Sequence, residues 1–181
     1  MRRIVAHMEM SLDGVVDHPE RWAHEYFAPD MLEAATSQMP ETGTVLFGRR
    51  TYEEFAAVWP ERPADDPFAG FLNSSLKVVV SRTLGELPWG PAERIDGIDA
   101  VAELKAKPGE DVVVLGSPTL VGSLLRAKLL DVLEIFVVPI LIGTGHRLYE
   151  SDERVPLRLV ESRPFNNGVL LTRYAQDSGK E

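Results

Sequence analysis

The amino-acid sequence predicts an α/β fold, a mostly parallel sheet flanked by helices with an antiparallel C-terminal end. Three observations lead there. Runs such as the valines at 78–80 and the Ile-Phe-Val-Val run at 135–138 are apolar at consecutive positions, which suits strands covered on both faces. Through the first two thirds of the chain, such runs alternate with segments of helical spacing. After Val132 three strand-like runs follow one another with only turn residues between them, the mark of antiparallel pairing.

Taken in order, the first strand is RIVAHM at 3–8, and a helix follows with Leu32, Ala35 and Met39 on one face. TVLFG at 44–48 is the second strand, leading into a helix marked by Tyr52, Phe55 and Ala56. KVVVS at 77–81 and DVVVLG at 111–116 are further strands, and Leu120, Leu124 and Leu125 line the helix after the latter. EIFVVPILIG at 134–143, LRLVES at 157–162 and VLLTRY at 169–174 make the antiparallel end. The Pro/Gly-rich pieces at 59–67 and 86–93 read as surface loops, too short to link domains, with Trp59 and Trp89 beside prolines as loop anchors. No repeat is visible. One domain over residues 1–175 is expected, with a polar, disordered tail at 176–181.

A chain of 181 residues with a formal net charge of −9 and no cysteine narrows the function classes. Nucleic acid and acidic membranes require clustered positive charge, so neither is expected as a partner. Disulfides, zinc–thiolate sites and thiol nucleophiles are excluded. The N-terminus alternates polar with apolar residues instead of forming a signal peptide's apolar segment, and no run is long enough to span a bilayer, so a cytoplasmic location is expected. His18 and His24, six residues apart without further ligands, make poor metal-site evidence, and no metal is expected. His7 alternates with apolar neighbours on the first strand, as either a hydrogen-bonded core histidine or a cleft contact.

In open parallel sheets, ligands sit beyond the carboxyl ends of the strands, where helix N-termini present free N–H groups. Three places qualify. In LFGRRTYEEF, Gly48 permits close backbone approach, Thr51 can cap or donate, and Arg49 and Arg50 supply charge. In VVVSRTL, Ser81 and Arg82 follow a strand directly. In VVVLGSPTL, Gly116 ends a strand, Ser117 fits an N-cap and Pro118 fits the first helical position. Each alone is consistent with ordinary capping and turn chemistry. Together, on neighbouring strands, they would converge on one polyanion, and arginine's bidentate fork suits a phosphate monoester such as the 2′-phosphate of NADP. Gly143 and Gly145 in PILIGTGHRLY follow another apolar run and are either a hairpin turn or a further backbone contact.

In this order and spacing, MSLDG, GRRTYE, VVVSRTL, VVVLGSPTLVGSLL and LLDVLEIFVVPILIGTGHRLY resemble the dihydrofolate-reductase-like superfamily, in particular the reductase domain of riboflavin biosynthesis, the RibD C-terminal domain. The resemblance spans Arg3 to about Tyr174. It implies a dihydrofolate-reductase-like three-layer α/β/α fold, NADPH as cofactor and a pyrimidine, pterin or related heterocycle as substrate. The named family reaction is reduction of 5-amino-6-(5-phosphoribosylamino)uracil. It places Gly48, Arg49, Arg50 and Thr51 at the cofactor phosphates, Ser81 and Arg82 near the 2′-phosphate, and Gly116, Ser117, Thr119 and Leu120 along the pyrophosphate and nicotinamide. Asp13 would lie near the nicotinamide and the substrate. The helix-borne proton donor of folate reductases corresponds to Asp30, or to Glu33 one turn on, although acids also favour helix starts for reasons of the dipole. Trp22, Tyr26 and Phe27 could stack on a flat ring.

Leu115 stands where many relatives have a second glycine, and the 17–30 segment does not reproduce the folate enzymes' motif, which argues against dihydrofolate itself. Two rivals differ in class: a nucleotide-binding protein without turnover, and a scaffolding domain whose glycine turns are only turns. Relatives are commonly homodimers, for which the late apolar strands would furnish an interface.

Overall fold

In the computed structural model, which describes residues 1–36, 42–63 and 65–176, the apolar runs become strands β1 (Ile4–Ser11), β2 (Thr42–Gly48), β3 (Leu76–Val80), β5 (Asp111–Leu115), β6 (Val132–Val138), β7 (Leu157–Pro164) and β8 (Leu170–Gln176). An additional strand, β4 (Ala92–Ile95), starts in the last two residues of the piece read as a loop at 86–93. Its four residues carry two charges and form the sheet's edge, where little apolar content is needed. The helices are α1 (Pro29–Thr36), α2 (Arg49–Ala56), α3 (Pro67–Ser74), α4 (Gly97–Ala106) and α5 (Pro118–Arg126). Met39, placed by spacing on the first helix, lies outside the described residues. So do residues 177–181 of the expected disordered tail, while Gln176 ends β8.

All eight strands form one sheet in the order β4-β3-β2-β5-β1-β6-β8-β7. The first six in that row pair in parallel, and β8 pairs antiparallel with both β6 and β7. The C-terminal end is therefore no simple meander, because β8 inserts between β6 and β7.

Alternation along each strand sends side chains to opposite faces. Ile4, Ala6, Met8, Leu46, Val78, Val112 and Val114 pack under α4 and α5 through Val101, Leu104, Val121 and Leu124. On the other face two separate clusters form. Met31 and Ala34 of α1 cover Phe136, Val138 and Leu171, whereas Tyr52 and Leu72 of α2 and α3 cover Val45, Phe47 and Val79. Trp89 is buried in the latter cluster and Trp59 packs against it, so both tryptophans anchor their loops. Between the two clusters lies a strip of β1 carrying Val5, His7 and Glu9, all only half-buried.

This arrangement has a topological cause. Connections leaving β1 and β2 run toward the β4 edge over the α1–α3 face, whereas those leaving β4 and β5 run the other way over the α4–α5 face. Strand β5 is thus flanked by strands whose connections depart in the opposite direction, which opens a crevice beyond its carboxyl end.

Lys77 is buried. It points into the α3 side, where its ammonium donates to the carbonyls of Leu72 (2.8 Å), Asn73 (3.3 Å) and Ser75 (2.9 Å), closing the α3 C-terminus beneath the Trp89 ring.

Candidate active-site cleft

The carboxyl ends of β2, β3 and β5 bring the three sequence motifs together. Gly48 ends β2 and donates its N–H to the Ser117 hydroxyl at 2.9 Å, tying the start of α2 to the start of α5 across 69 residues of chain. Ser117 stands at the N-cap position of α5, but in a left-handed conformation and without capping the helix. Its hydroxyl is taken by Gly48, so the expected cap is replaced by a clasp between motifs. Gly116 is left-handed too, with φ +57, and a side-chain carbon there would lie 3.3 Å from Thr51 Cγ2. Thr51 on α2 thus faces the bare side of the β5–α5 turn.

Arg49 and Arg50 are exposed in the first turn of α2. The Arg49 guanidinium reaches Thr83 Oγ1 at 3.3 Å and Glu53 at 3.8 Å, so it stands beside the loop after β3. In that loop the buried Ser81 hydroxyl accepts the N–H groups of Thr83 (3.2 Å) and Leu84 (3.0 Å), fixing the turn that carries Arg82. Arg82 is exposed and lines a cleft of ≈ 590 Å³ with Ser81, Asp96, Gly97 and Asp99. That cleft carries both signs of charge. Thr119 is exposed on α5, whereas the Leu120 side chain belongs to the core under that helix, which leaves only its backbone available to a ligand.

The turn after β1 is locked to the loop after β6. Asp13 accepts from the Ser11 hydroxyl (2.7 Å) and from the N–H groups of Ile142 (3.1 Å) and Gly143 (2.7 Å), with Arg147 at 3.8 Å. The Ser11 hydroxyl and these backbone donors hold its carboxyl down at about 2, so it is ionised at neutral pH and has no proton to give. Its geometry is that of an anchor. Gly145, at φ +136, is required by packing, since a side-chain carbon there would fall 2.6 Å from Val15 Cγ1. Gly143 and Gly145 therefore shape a loop folded over residues 13–17, where Asp17 also accepts the His146 N–H at 2.9 Å.

Trp22 and Tyr26 are half-buried against the α1 cluster, with the Trp22 indole donating to the Asp17 carbonyl at 2.8 Å. Phe27 is exposed. On α1, Asp30 stands in the first turn and accepts the N–H of Met31 at 3.0 Å, and Glu33 is exposed. Among the described residues, no group of three or more metal-ligating side chains could hold an ion.

The strip between the helical clusters holds a feature only half visible in the sequence. His7, Glu134, Arg173 and Glu161 are register partners in one lateral row across β1, β6, β8 and β7. His7 Nδ1 meets Glu134 at 2.9 Å, Arg173 meets Glu134 at 2.5 Å, and Arg173 also meets Glu161 at 2.6 Å. Glu9, two residues on along β1, stands 3.5 Å from His7 Nε2. Burial alone would lower the His7 pKa, but the carboxylates of Glu134 and Glu9 outweigh it and push it up to about 10. Burial would likewise raise Glu134, yet His7 and Arg173 hold it below the ordinary carboxylate range.

The doubly wound sheet, the crevice beside β5 and the glycine turns at helix starts define an α/β protein of the dihydrofolate-reductase-like kind. Residues 2–171 match the RibD C-terminal domain, and the chain belongs to that family. It is similar to the protein YyaP of Bacillus subtilis (strain 168), with 26% identity covering 96% of this chain and 94% of that one. Among solved structures, a protein of Shewanella sp. PV-4 provisionally assigned to riboflavin biosynthesis superimposes with a TM-score of 0.78 at 22% identity, covering 97% and 99% of the two chains. The dihydrofolate reductase of Enterococcus faecalis complexed with NADP(H) superimposes with a TM-score of 0.69 at 16% identity, covering 97% of each chain. No helix among the described residues is long and apolar enough to cross a membrane.

Proposed function

We propose that the protein is an NADPH-dependent reductase of a small flat heterocycle of the pyrimidine or pterin type, resembling 5-amino-6-(5-phosphoribosylamino)uracil reductase. The observation that carries this reading is the convergence of three strand-end motifs, with Gly48 clasped to Ser117, Thr51 against Gly116 and Arg49 beside Thr83. Family membership adds weight, and so does the fold shared with a dihydrofolate reductase solved with NADP(H).

The residues present fit such a cofactor. The α5 N-terminus has no side-chain cap, so its free N–H groups remain available to a pyrophosphate. The bare turn at Gly116 lets backbone approach, and Arg49, Arg50 and Arg82 supply the forks for a 2′-phosphate. When bound, the nicotinamide supplies a hydride. The chain's own work is to hold both partners. Asp13 fixes the 142–143 backbone beside the β1 turn, α1 carries Asp30 and Glu33, and Trp22 and Tyr26 pack against the cluster under α1. Asp30, Glu33 or water is the proton source in this scheme, because Asp13 is held ionised.

Titration with NADPH and NADH, followed by nicotinamide fluorescence, tests the assignment. NADPH is expected to bind more tightly. Arg49→Ala and Arg82→Ala should each weaken NADPH about tenfold, or about 1.4 kcal/mol, while leaving NADH unchanged. Equal binding of the two cofactors would remove the arginines from the 2′-phosphate; Asp96 and Asp99 line the same cleft as Arg82 and oppose an anion there. Saturable binding without oxidation over a panel of heterocycles would favour a nucleotide-binding protein without turnover.

A further inference from the structure

Glu9 and His7 occupy the strip that neither helical cluster covers, and their side chains retain 21% and 15% exposure. The position of Glu9 follows from register. Pairing of β1 with β5 ends at His7 opposite Leu115, whereas pairing with β6 continues through Glu9 to Ser11. Beyond His7, β1 therefore has a strand on one side and the open crevice on the other. Gly116, whose N–H donates to the His7 carbonyl at 3.3 Å, turns the chain away at that level. Glu9 is thus a carboxylate on the floor of the cleft, beside the turn that carries Gly116 and Ser117.

A carboxylate on a sheet floor is costly unless it is held. The lateral row supplies the hold: Glu161, Arg173, Glu134 and His7 alternate in sign across four strands, and the end of the row bears on Glu9. The imidazole is gripped at Nδ1 by Glu134 (2.9 Å) and lies against Phe136 with ring centroids 5.0 Å apart, so its Nε2 edge is fixed toward Glu9. With His7 charged, the three carboxylates of the group exceed its two cations by one negative charge. Such a site suits adjacent N–H donors and repels phosphate, and a carboxylate accepts two parallel N–H bonds well.

We propose that Glu9, positioned by His7, reads the N–H edge of the heterocycle bound in this cleft, so that substrates present a pair of adjacent N–H donors, as an amidinium does, to β1. The assignment rests on reading the site as that of a heterocycle reductase. It places the substrate's ring over β1, and any phosphorylated substituent away from the lateral row.

The test is calorimetric titration with 2,4-diaminopyrimidine, a flat ring whose ring-protonated form presents such an edge, in the presence and absence of saturating NADPH. Wild-type protein should bind it, Glu9→Gln should weaken it at least tenfold, and His7→Asn, which frees the Glu9 anchor, should weaken it by a smaller factor. NADPH affinity should stay within twofold in both variants, a split that a general loss of structure would not produce. Binding to Glu9→Gln as tight as to wild type, a loss seen in Asp30→Asn alone, or no binding to wild type would each overturn the inference. Glu9-dependent binding of the pyrimidine by a protein that takes up neither NADPH nor NADH would uphold the inference and overturn the reductase reading instead.

Discussion

Two glycines carry the same motif-level meaning, yet their geometry predicts opposite responses to alanine. Gly116 sits at φ +57, where an L-residue costs about 1–2 kcal/mol. Its new methyl would also meet Thr51 Cγ2 at 3.3 Å, tight enough that Thr51 must shift, bringing the expected loss to about 2 kcal/mol. For a chain of this size that lowers the thermal midpoint by about 4–8 °C. Gly48 has φ −76, and a methyl there would find Ser117 Oγ at 3.5 Å and Leu120 Cβ at 3.9 Å, ordinary contacts. Gly48→Ala should leave the midpoint within about 2 °C or raise it, since alanine also reduces the freedom of the unfolded chain by about 0.4–1 kcal/mol. Thermal unfolding followed by circular dichroism reads both. Adding Thr51→Ser to Gly116→Ala removes the contacting methyl, so it should restore the contact part of the loss and leave the torsional part. If Gly116→Ala melts with the wild type, or Gly48→Ala is equally damaging, the left-handed turn and its contact with α2 are wrong.

Glu134 carries the centre of the lateral row, and Glu134→Gln should cost about 3 kcal/mol at pH 6.5, because it strips a half-buried histidine and Arg173 of their shared carboxylate. The folded pKa of His7 lies above its unfolded value, so its contribution is complete below about 6.5 and is lost as pH rises through about 10. The urea-midpoint gap between variant and wild type should therefore narrow toward pH 10, without closing, since Arg173 keeps its charge; a gap independent of pH contradicts the ion pair. Strand β7 is exposed along its whole length, with Leu159 at 51% and Val160 at 55%, and it ends the sheet. Light scattering is expected to give the mass of two chains, and Val160→Lys that of one; a wild-type monomer removes β7 as an interface.

Strands β2 and β3 were legible because strands covered on both faces are apolar at consecutive positions, and Val45, Leu46, Val78 and Val79 are all buried. Strand β4 was not, because an edge strand of Ala-Glu-Arg-Ile carries no such signature. Helix α3 starts only at the last residue of a proline-rich piece, whose Asp66 is its N-cap, accepting from Phe68 and Ala69. At the site, the glycine and arginine motifs could be read as anion-binding from residue type alone. Their clasp could not, since Gly48 and Ser117 meet only after β2 and β5 pair. His7 was noticeable as a polar residue in an apolar strand, and Glu134 stood equally out of place in its own run. Nothing in spacing connects two positions 127 residues apart until β1 and β6 fall into register.

The insertion of β8 between β6 and β7 has a consequence for how the molecule is made. During synthesis β7 leaves the ribosome before the strand that bonds it to the rest of the sheet. Until residues 170–176 emerge, β6 presents an unpaired edge and Glu134 lacks Arg173. The sheet therefore closes from the inside, last strand into a waiting gap, and β6 is the edge on which a stalled or truncated nascent chain would pair with the wrong partner.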